Sequence, residues 1–125
     1  MVLVNLISIR GAITVDNNDK ESIIQATKEL LISLEKENNL NKKNVVSILF
    51  SSTKDLDAEY PAKAARMLGY TQCGLMCFNE MFVKGSIDKC IRVMILYQDP
   101  VLVQSQVKHI YLKGAKVLRP DLMDK

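Results

Sequence analysis

One long amphipathic helix sets the main limit on how this chain can fold. Between residues 19 and 37, one set of side chains recurs at intervals of three and four, which places it on a single helix face. That face consists of Ile23, Thr27, Leu30, Leu31 and Leu34. Asn18 and Glu21 have the spacing of a capping box at the start of the helix. A single helix can cover only one face of a β-sheet, so the rest of the chain decides what happens at the other face.

Apolar runs elsewhere in the chain predict a sheet of about five strands. Four strands are predicted at residues 2–9, 45–51, 71–78 and 90–97. The first is expected to end at Arg10 and Gly11, where a charge and a glycine interrupt the aliphatic pattern. Short helices are expected at residues 62–68, after Pro61, and at 101–108, and short extended pieces at 109–112 and 115–118.

These elements predict an α+β (mixed α/β) fold class. A mixed sheet of about five strands is packed by one long helix and a short second helix. The helices leave one sheet face uncovered, and association of identical chains is the simplest way to bury it.

Length and composition indicate one domain spanning residues 1–125, with residues 117–125 expected to form a mobile C-terminal tail. Hydrophobic residues make up 48% and charged residues 25% of the chain, which is typical of a globular protein. The net charge of +3 is too small to indicate nucleic-acid binding. No apolar run approaches the roughly 20 residues that span a membrane, and residues 1–9 lack the basic start of a signal peptide. Three cysteines, an odd number, favour reduced thiols and a cytoplasmic location.

Several kinds of catalytic site are absent from the sequence. There is no phosphate loop and no dinucleotide-binding glycine pattern. The single histidine, His109, excludes a histidine-based metal cluster, and the spacing of Cys73 and Cys77 is not that of a zinc finger. A Cys–His nucleophile is disfavoured for the same reason. We therefore expect neither a metal nor a cofactor.

Charged residues within or beside the apolar strands are the most informative ones. Arg92 interrupts a predicted strand, and arginine is almost never buried unless it is paired. Arg10 ends the first strand, Glu80 follows the third, and Tyr111 lies in a short extended segment. Each also has a structural interpretation: an interface ion pair, a solvated strand end, a turn residue or a core tyrosine. Together they would suit a small polyanion whose reaction depends on charge placement.

The C-terminal region is basic. Residues 101–125 contain five Lys or Arg and two Asp. This pattern indicates either a solvated tail or a local attraction for an anionic ligand.

Five motifs in order give the chain a recognisable pattern. They are IRGAITV at 9–15, YPAKAAR at 60–66, CFNEM at 77–81, KCIRVM at 89–94, and HIYL at 109–112 followed by AKVLRPD at 115–121. With these motifs the chain resembles the monofunctional chorismate mutases of the small trimeric, pseudo-α/β-barrel class. The resemblance implies rearrangement of chorismate to prephenate, at the branch point toward phenylalanine and tyrosine. This pericyclic reaction needs no covalent enzyme intermediate and no cofactor.

The resemblance also implies roles for the charged residues. Arg92 matches the cation that faces the ether oxygen, where negative charge grows as the carbon–oxygen bond breaks. A planar guanidinium can also donate to the side-chain carboxylate, whereas a lysine could not hold both contacts. Arg10 and Tyr111 match the residues that clamp that carboxylate. Glu80, together with Cys77, matches the pair that binds the ring hydroxyl.

Further positions match the rest of the family's site. Lys63 and Arg66 match cations on the short helix that attract the dianion. The matching apolar lining consists of Tyr60, Ala62, Leu75 and Leu118. Two positions depart from the family: Tyr60 replaces a phenylalanine, and Met76 replaces a small hydroxylated residue that would contact substrate.

The family assembles as a homotrimer with active sites between subunits, which implies closure of the sheets into a trimeric barrel. Arg10, Glu80, Arg92 and Tyr111 would come from one subunit, and Tyr60, Lys63 and Cys77 from its neighbour. Residues 119–121 would close over the site as a lid. Two other function classes stay open at this point: a non-catalytic module that binds carboxylate metabolites, and an imine deaminase of the small trimeric Rid type.

Overall fold

The structure is a computed structural model that describes the backbone of residues 3–123 and the side chains of residues 3–121. The strands are β1 (Asn5–Thr14), β2 (Val45–Ser52), β3 (Gly74–Asn79), β4 (Cys90–Asp99) and β5 (Ile110–Leu112). The α-helices are α1 (Lys20–Asn38), α2 (Pro61–Met67) and α3 (Pro120–Met123). Three 3-10 helices cover Lys42–Asn44, Gln104–Gln106 and Lys113–Leu118. This composition confirms the predicted α+β class.

The strands form one mixed sheet in the order β3-β2-β4-β1-β5. The central strand β4 runs antiparallel to β1 and β2, whereas β3 is parallel to β2 and β5 is parallel to β1. Both edge strands are short, which limits the length of unpaired backbone at the sheet edges.

Helix α1 covers one face of this sheet and builds the core. The predicted apolar face of α1 is buried as expected, with Leu30, Leu31 and Leu34 fully inaccessible to solvent. They pack in one cluster with sheet residues such as Ile9 and Phe50. Burial of each leucine side chain contributes about 1.5–3 kcal/mol to folding. The hydrophobic period read from the sequence therefore identifies the inner face of the helix.

The start of α1 differs from the predicted capping box. Asp19, not Asn18, is the capping residue, and its carboxylate accepts a hydrogen bond of 2.7 Å from the Ser22 backbone N–H. Asn18 binds the loop before α2 instead, where its side chain pairs with Asp57 and accepts from the Ala58 backbone N–H. Both residue types cap helices well, so only the tertiary contact decides between them.

Strand β1 is longer at its C-terminal end than the sequence predicted. It continues through Arg10 and Gly11 to Thr14, because residues 10–14 pair with β4 and residues 11–13 also pair with β5. Gly11 permits this close approach: a Cβ at this position would lie 2.7 Å from the carbonyl oxygen of Ile110. At its N-terminal end β1 begins at Asn5, so the predicted strand is wrong at residues 3 and 4, and its predicted first residue, 2, lies outside the described residues. Strand β3 begins at Gly74, three residues later than predicted.

Two C-terminal predictions are wrong. Residues 115–118 are not extended but belong to the 3-10 helix Lys113–Leu118, because Lys113 adopts a left-handed conformation (φ 54°) that bends the chain after β5. The predicted helix at 101–108 is reduced to one 3-10 turn. Gln104 from that turn exchanges two hydrogen bonds with the backbone of Ser8, at 2.8 and 2.9 Å, and so satisfies the edge of β1.

The second face of the sheet is only partly covered. Its exposed apolar side chains include Leu6 on β1, Met76 and Phe78 on β3, and Met94 on β4, which are 37–65% exposed. We refer to this side of the sheet as the open face. Within residues 3–123, no helix is both long enough and apolar enough to cross a membrane.

Candidate active site

Strand register brings the predicted charged residues together on the open face. Ala12 of β1 lies opposite Arg92 of β4 and also opposite Tyr111 of β5, so these three positions form one row across the sheet. Arg10 lies opposite Met94 in the adjacent row. Directly opposed residues share a sheet face, and diagonal neighbours remain within reach of long side chains. The sheet therefore places residues far apart in sequence around one point.

A cavity of about 300 Å³ opens at this point. Its polar wall carries the side chains of Arg10, Arg92, Tyr111 and Arg119. The remaining lining is largely apolar and includes Leu49, Phe50, Phe78, Val93 and Met94. An apolar wall around fixed cations strengthens their interaction with an anionic ligand, because the local dielectric constant is lower than that of water.

An ion pair with Glu80 holds Arg92 in place. Arg92 Nε lies 2.7 Å from Glu80 Oε2, and the same oxygen accepts a 3.1 Å hydrogen bond from Ser51 Oγ. The backbone N–H of Glu80 donates to the carbonyl of Ser52 at 2.9 Å. Within residues 3–121 Arg92 forms no ion pair with any other carboxylate, and a guanidinium has five N–H donors, so donors remain for a ligand. The carboxylate thus balances the charge of Arg92 and orients its guanidinium, without occupying all of its N–H donors.

Arg10 is positioned by an unusual backbone contact. Its backbone N–H donates to Nδ1 of His109 at 3.0 Å, just before β5 begins to pair with β1. Partial burial lowers the pKa of His109, and the nearby charges of Arg10 and Arg119 lower it further. The imidazole is therefore held neutral, with Nδ1 free to accept.

Arg119 is the one charged lining residue of this cavity with no substrate-binding role predicted from the sequence, which placed it in a basic region and a lid. Its guanidinium forms a two-point contact with Asp121, at 2.8 and 3.1 Å. Hydrogen bonding to Asp121 raises its pKa above the usual value, and the proximity of Tyr111 acts in the same direction. Leu118 packs beside Tyr111 in a small second core. The basic composition of the C-terminal region was the available signal for this residue.

The other predicted residues form a separate group around α2 and β3. Ala62 is buried, and burial raises the pKa of the Cys77 thiol although the nearby Ala62 backbone and the charge of Arg66 act in the opposite direction. Lys63 pairs with Glu59 at 3.4 Å. Leu75 packs against the main core.

Tyr60 and Cys77 from this group line a second cavity of about 570 Å³, which also carries Lys20 and Lys54. The ring of Tyr60 is 69% exposed. Met76 lies on the open face and is 56% exposed, and it lines neither cavity of the described chain. The predicted site residues thus fall into two separate groups in this chain: one with Arg10, Arg92 and Tyr111, and one on α2 and β3.

Among the described residues, no group of three or more His, Cys, Asp or Glu side chains is arranged to hold a metal ion. The polar groups at the first cavity are hydrogen-bond donors and fixed charges. Such a set can bind an anion and stabilise developing negative charge.

Comparison with known proteins gives a consistent result. The sequence profile of the family described as Chorismate mutase type I matches residues 6–122. The protein named Chorismate mutase AroH of Bacillus subtilis (strain 168) is 47% identical over 115 residues, which cover 91% of this chain and 90% of that protein. The protein of the same name from Thermus thermophilus is 40% identical over 115 residues, covering 91% and 93%.

A solved structure of a chorismate mutase from Clostridium thermocellum agrees with the fold at a TM-score of 0.84 and 46% sequence identity. The match covers 88% of this chain and 97% of that one. Profile, sequence and fold agree over nearly the whole length, so this chain belongs to the chorismate mutase type I family and is a chorismate mutase, an isomerase.

Proposed function

We propose that this chain rearranges chorismate to prephenate in the 300 Å³ cavity of the open face, with Arg92 as the principal catalytic residue. The observation that carries this assignment is the Arg92–Glu80 pair, joined at 2.7 Å: Arg92 lines the cavity together with Arg10 and Tyr111, whereas Glu80 lines a separate cavity of about 100 Å³. Glu80 supplies the carboxylate for the ring hydroxyl, and Arg10 and Tyr111 bind the side-chain carboxylate.

The charge balance of the cavity supports a dianionic substrate. Three guanidinium groups line it, and two of them, on Arg92 and Arg119, are each paired with one carboxylate. Arg10 has no such partner within the described residues. An anion that enters gains charge-assisted hydrogen bonds from preoriented donors, which are stronger than neutral ones.

The chemistry follows from where negative charge develops. As the ether bond lengthens, charge accumulates on its oxygen, and a fixed cation there binds the transition state more strongly than the ground state. The free terminal nitrogens of Arg92 can meet both this oxygen and a carboxylate. The site also holds the side chain of the substrate folded over its ring. This lowers the activation barrier further, because the conformational freedom that the reaction requires to be lost is already lost on binding.

We further propose a homotrimer in which the α2–β3 half-site of one subunit completes the cavity of its neighbour. Three features support it: the exposed apolar open face, the exposed ring of Tyr60, and the separation of Lys63 and Cys77 from Arg92 in one chain. The neighbour would then contribute Tyr60, Ala62, Lys63, Arg66, Leu75, Met76 and Cys77. A cytoplasmic location is part of this proposal, and three cysteines without disulfides are compatible with it.

The activity is tested by following the loss of chorismate's ultraviolet absorbance with purified protein, without added metal or cofactor. Rapid loss with prephenate as the sole product is the expected result. Tight binding of chorismate without turnover, by a folded protein, would instead favour a carboxylate-binding module and refute the proposal.

The shared site is tested by mixing two inactive variants, Arg92→Ala and Lys63→Ala, after unfolding and joint refolding. If each site needs both chains, about a quarter of sites in random equal mixtures combine two intact halves, and activity recovers to that level. Refolded single variants are the controls. No recovery from mixtures shown by native mass spectrometry to be mixed trimers would contradict the shared site.

A further inference from the structure

Ser51 is a polar residue of the cavity wall to which the sequence motifs assign no role. It lies near the end of β2, on the open face, directly opposite Arg92 of β4 in the antiparallel register. Its neighbours on the sheet are therefore the residues that the proposed function uses most.

Strand β2 holds Glu80 at both its backbone and its side chain. Ser51 Oγ donates to Glu80 Oε2 at 3.1 Å, and the next residue, Ser52, accepts from the Glu80 backbone N–H at 2.9 Å. Arg92 Nε reaches the same Oε2 at 2.7 Å. The same carboxylate oxygen thus contacts both Ser51 and Arg92, and within residues 3–121 no hydrogen bond is made to Oε1.

The geometry points to Ser51 as a positioning residue for the Arg92–Glu80 pair. A glutamate side chain has three rotatable bonds, and one ion pair to a half-exposed arginine leaves several rotamers open. The second donor, from a strand residue, selects the rotamer in which Oε2 holds the arginine. Oε1 then remains available to accept from a hydroxyl of the substrate. This inference rests on the proposed function.

Loss of the hydroxyl is expected to reduce catalysis without unfolding the protein. Ser51→Ala should lower kcat about tenfold, because misplacement of a reacting group by 1 Å can cost up to about 100-fold. KM should change by less than about threefold, since the charges that attract the dianion remain. Ser51→Thr keeps the hydroxyl and suits a strand, so it should restore kcat to within about threefold of wild type.

Ser47→Ala is the matched control, because Ser47 lies on the same strand and makes no contact with the pair. All of these single variants should have the thermal midpoint of the wild type within about 2 °C. A serine that served only stability would move this midpoint and leave kcat unchanged.

A double-mutant cycle tests whether Ser51 acts through Glu80. Contacting residues behave non-additively, so Ser51→Ala should have no further effect on kcat when Glu80→Ala is already present. If wild type turns over chorismate but Ser51→Ala keeps its kcat within about twofold, or its effect persists without Glu80, this inference alone is overturned. If wild type does not turn over chorismate, the proposed function fails and the inference fails with it.

Discussion

Replacing Arg92 by alanine removes the guanidinium but keeps the strand that carries it. Ala12 and Ser51, its neighbours across the sheet, stay in register because their backbone pairing does not involve the side chain. The side chain is 48% exposed, so little packing is lost. The variant should therefore fold, and its kinetic defect should report on charge and hydrogen bonding alone.

The magnitude has two parts. Loss of one preorganised donor to a developing oxyanion costs about 2.7–4 kcal/mol, or a factor of roughly 100 to 1,000 in kcat. The second part acts on binding, because Glu80 loses its partner and repels the anionic substrate. Across a span of roughly 7 Å with an effective dielectric constant near 20, this repulsion amounts to about 2 kcal/mol, or about 30-fold in KM.

The two parts separate in the double variant Arg92→Ala/Glu80→Gln. Removing the uncompensated charge of Glu80 should lower KM most of the way back to the wild-type value, while kcat stays low. Arg92→Lys should have a kcat less than about tenfold above that of Arg92→Ala. An ammonium group that pairs with Glu80 cannot at the same time donate to the ether oxygen in a fixed geometry. Lys43→Ala, at an exposed site in the 3-10 helix after α1, is the control for loss of a positive charge.

The assay is steady-state loss of chorismate absorbance over a range of concentrations, with circular dichroism to verify the fold of each variant. The reasoning would be refuted if Arg92→Ala kept kcat within about tenfold of wild type. It would also be refuted if Glu80→Gln restored kcat in place of KM, because the carboxylate would then be inhibiting the chemical step.

Two further predictions concern the junction of β1 and β5. Gly11→Ala brings a Cβ to 2.7 Å from the Ile110 carbonyl oxygen and should destabilise the fold by about 1–3 kcal/mol in urea unfolding. Gly74→Ala, where the nearest atom would be 3.7 Å away, is the control, and equal losses would contradict the steric argument. The pKa of His109 is lowered on folding from its usual 6.5, so the unfolded chain binds more protons between the two values. The free energy of unfolding should therefore fall as pH falls through 6.5 toward the folded pKa, and His109→Gln should lose this dependence. An unchanged pH profile in that variant would show that another group is responsible.

Much of the fold follows from local periodicity. The apolar face of α1 and the apolar runs of β2 and β4 can be recognised in the sequence. Burial gives the apolar residues of a helix a period of about 3.6 and gives central strands an apolar composition. The first and last residues of each element are predicted less accurately. Arg10 and Gly11 look like the end of a strand, and only the pairing with β4 and β5 carries β1 on to Thr14.

In the candidate site, too, some residues can be recognised from the sequence and others only from the structure. Arg92 draws attention in the sequence because a charge inside an apolar strand needs a partner. The sequence did not identify that partner as Glu80, and it assigned Arg119 only to a basic C-terminal region and to a lid over the site. Neither the hydroxyl of Ser51 nor the ring nitrogen of His109 had any signal in the sequence, since both act through contacts with distant residues.

The sequence by itself determined the element types, the fold class and a set of charged residues suited to an anionic substrate. Motifs in order added the family. The resemblance implied that Arg10, Arg92 and Tyr111 act apart from Lys63 and Cys77 of the same chain, but only the tertiary structure places the first three on one sheet face and the other two outside their cavity. The physical reason is that a shift of one residue in strand register moves every side chain to the opposite face. Local propensity does not encode that register, which is set by long-range contacts such as the approach of Ile110 to Gly11.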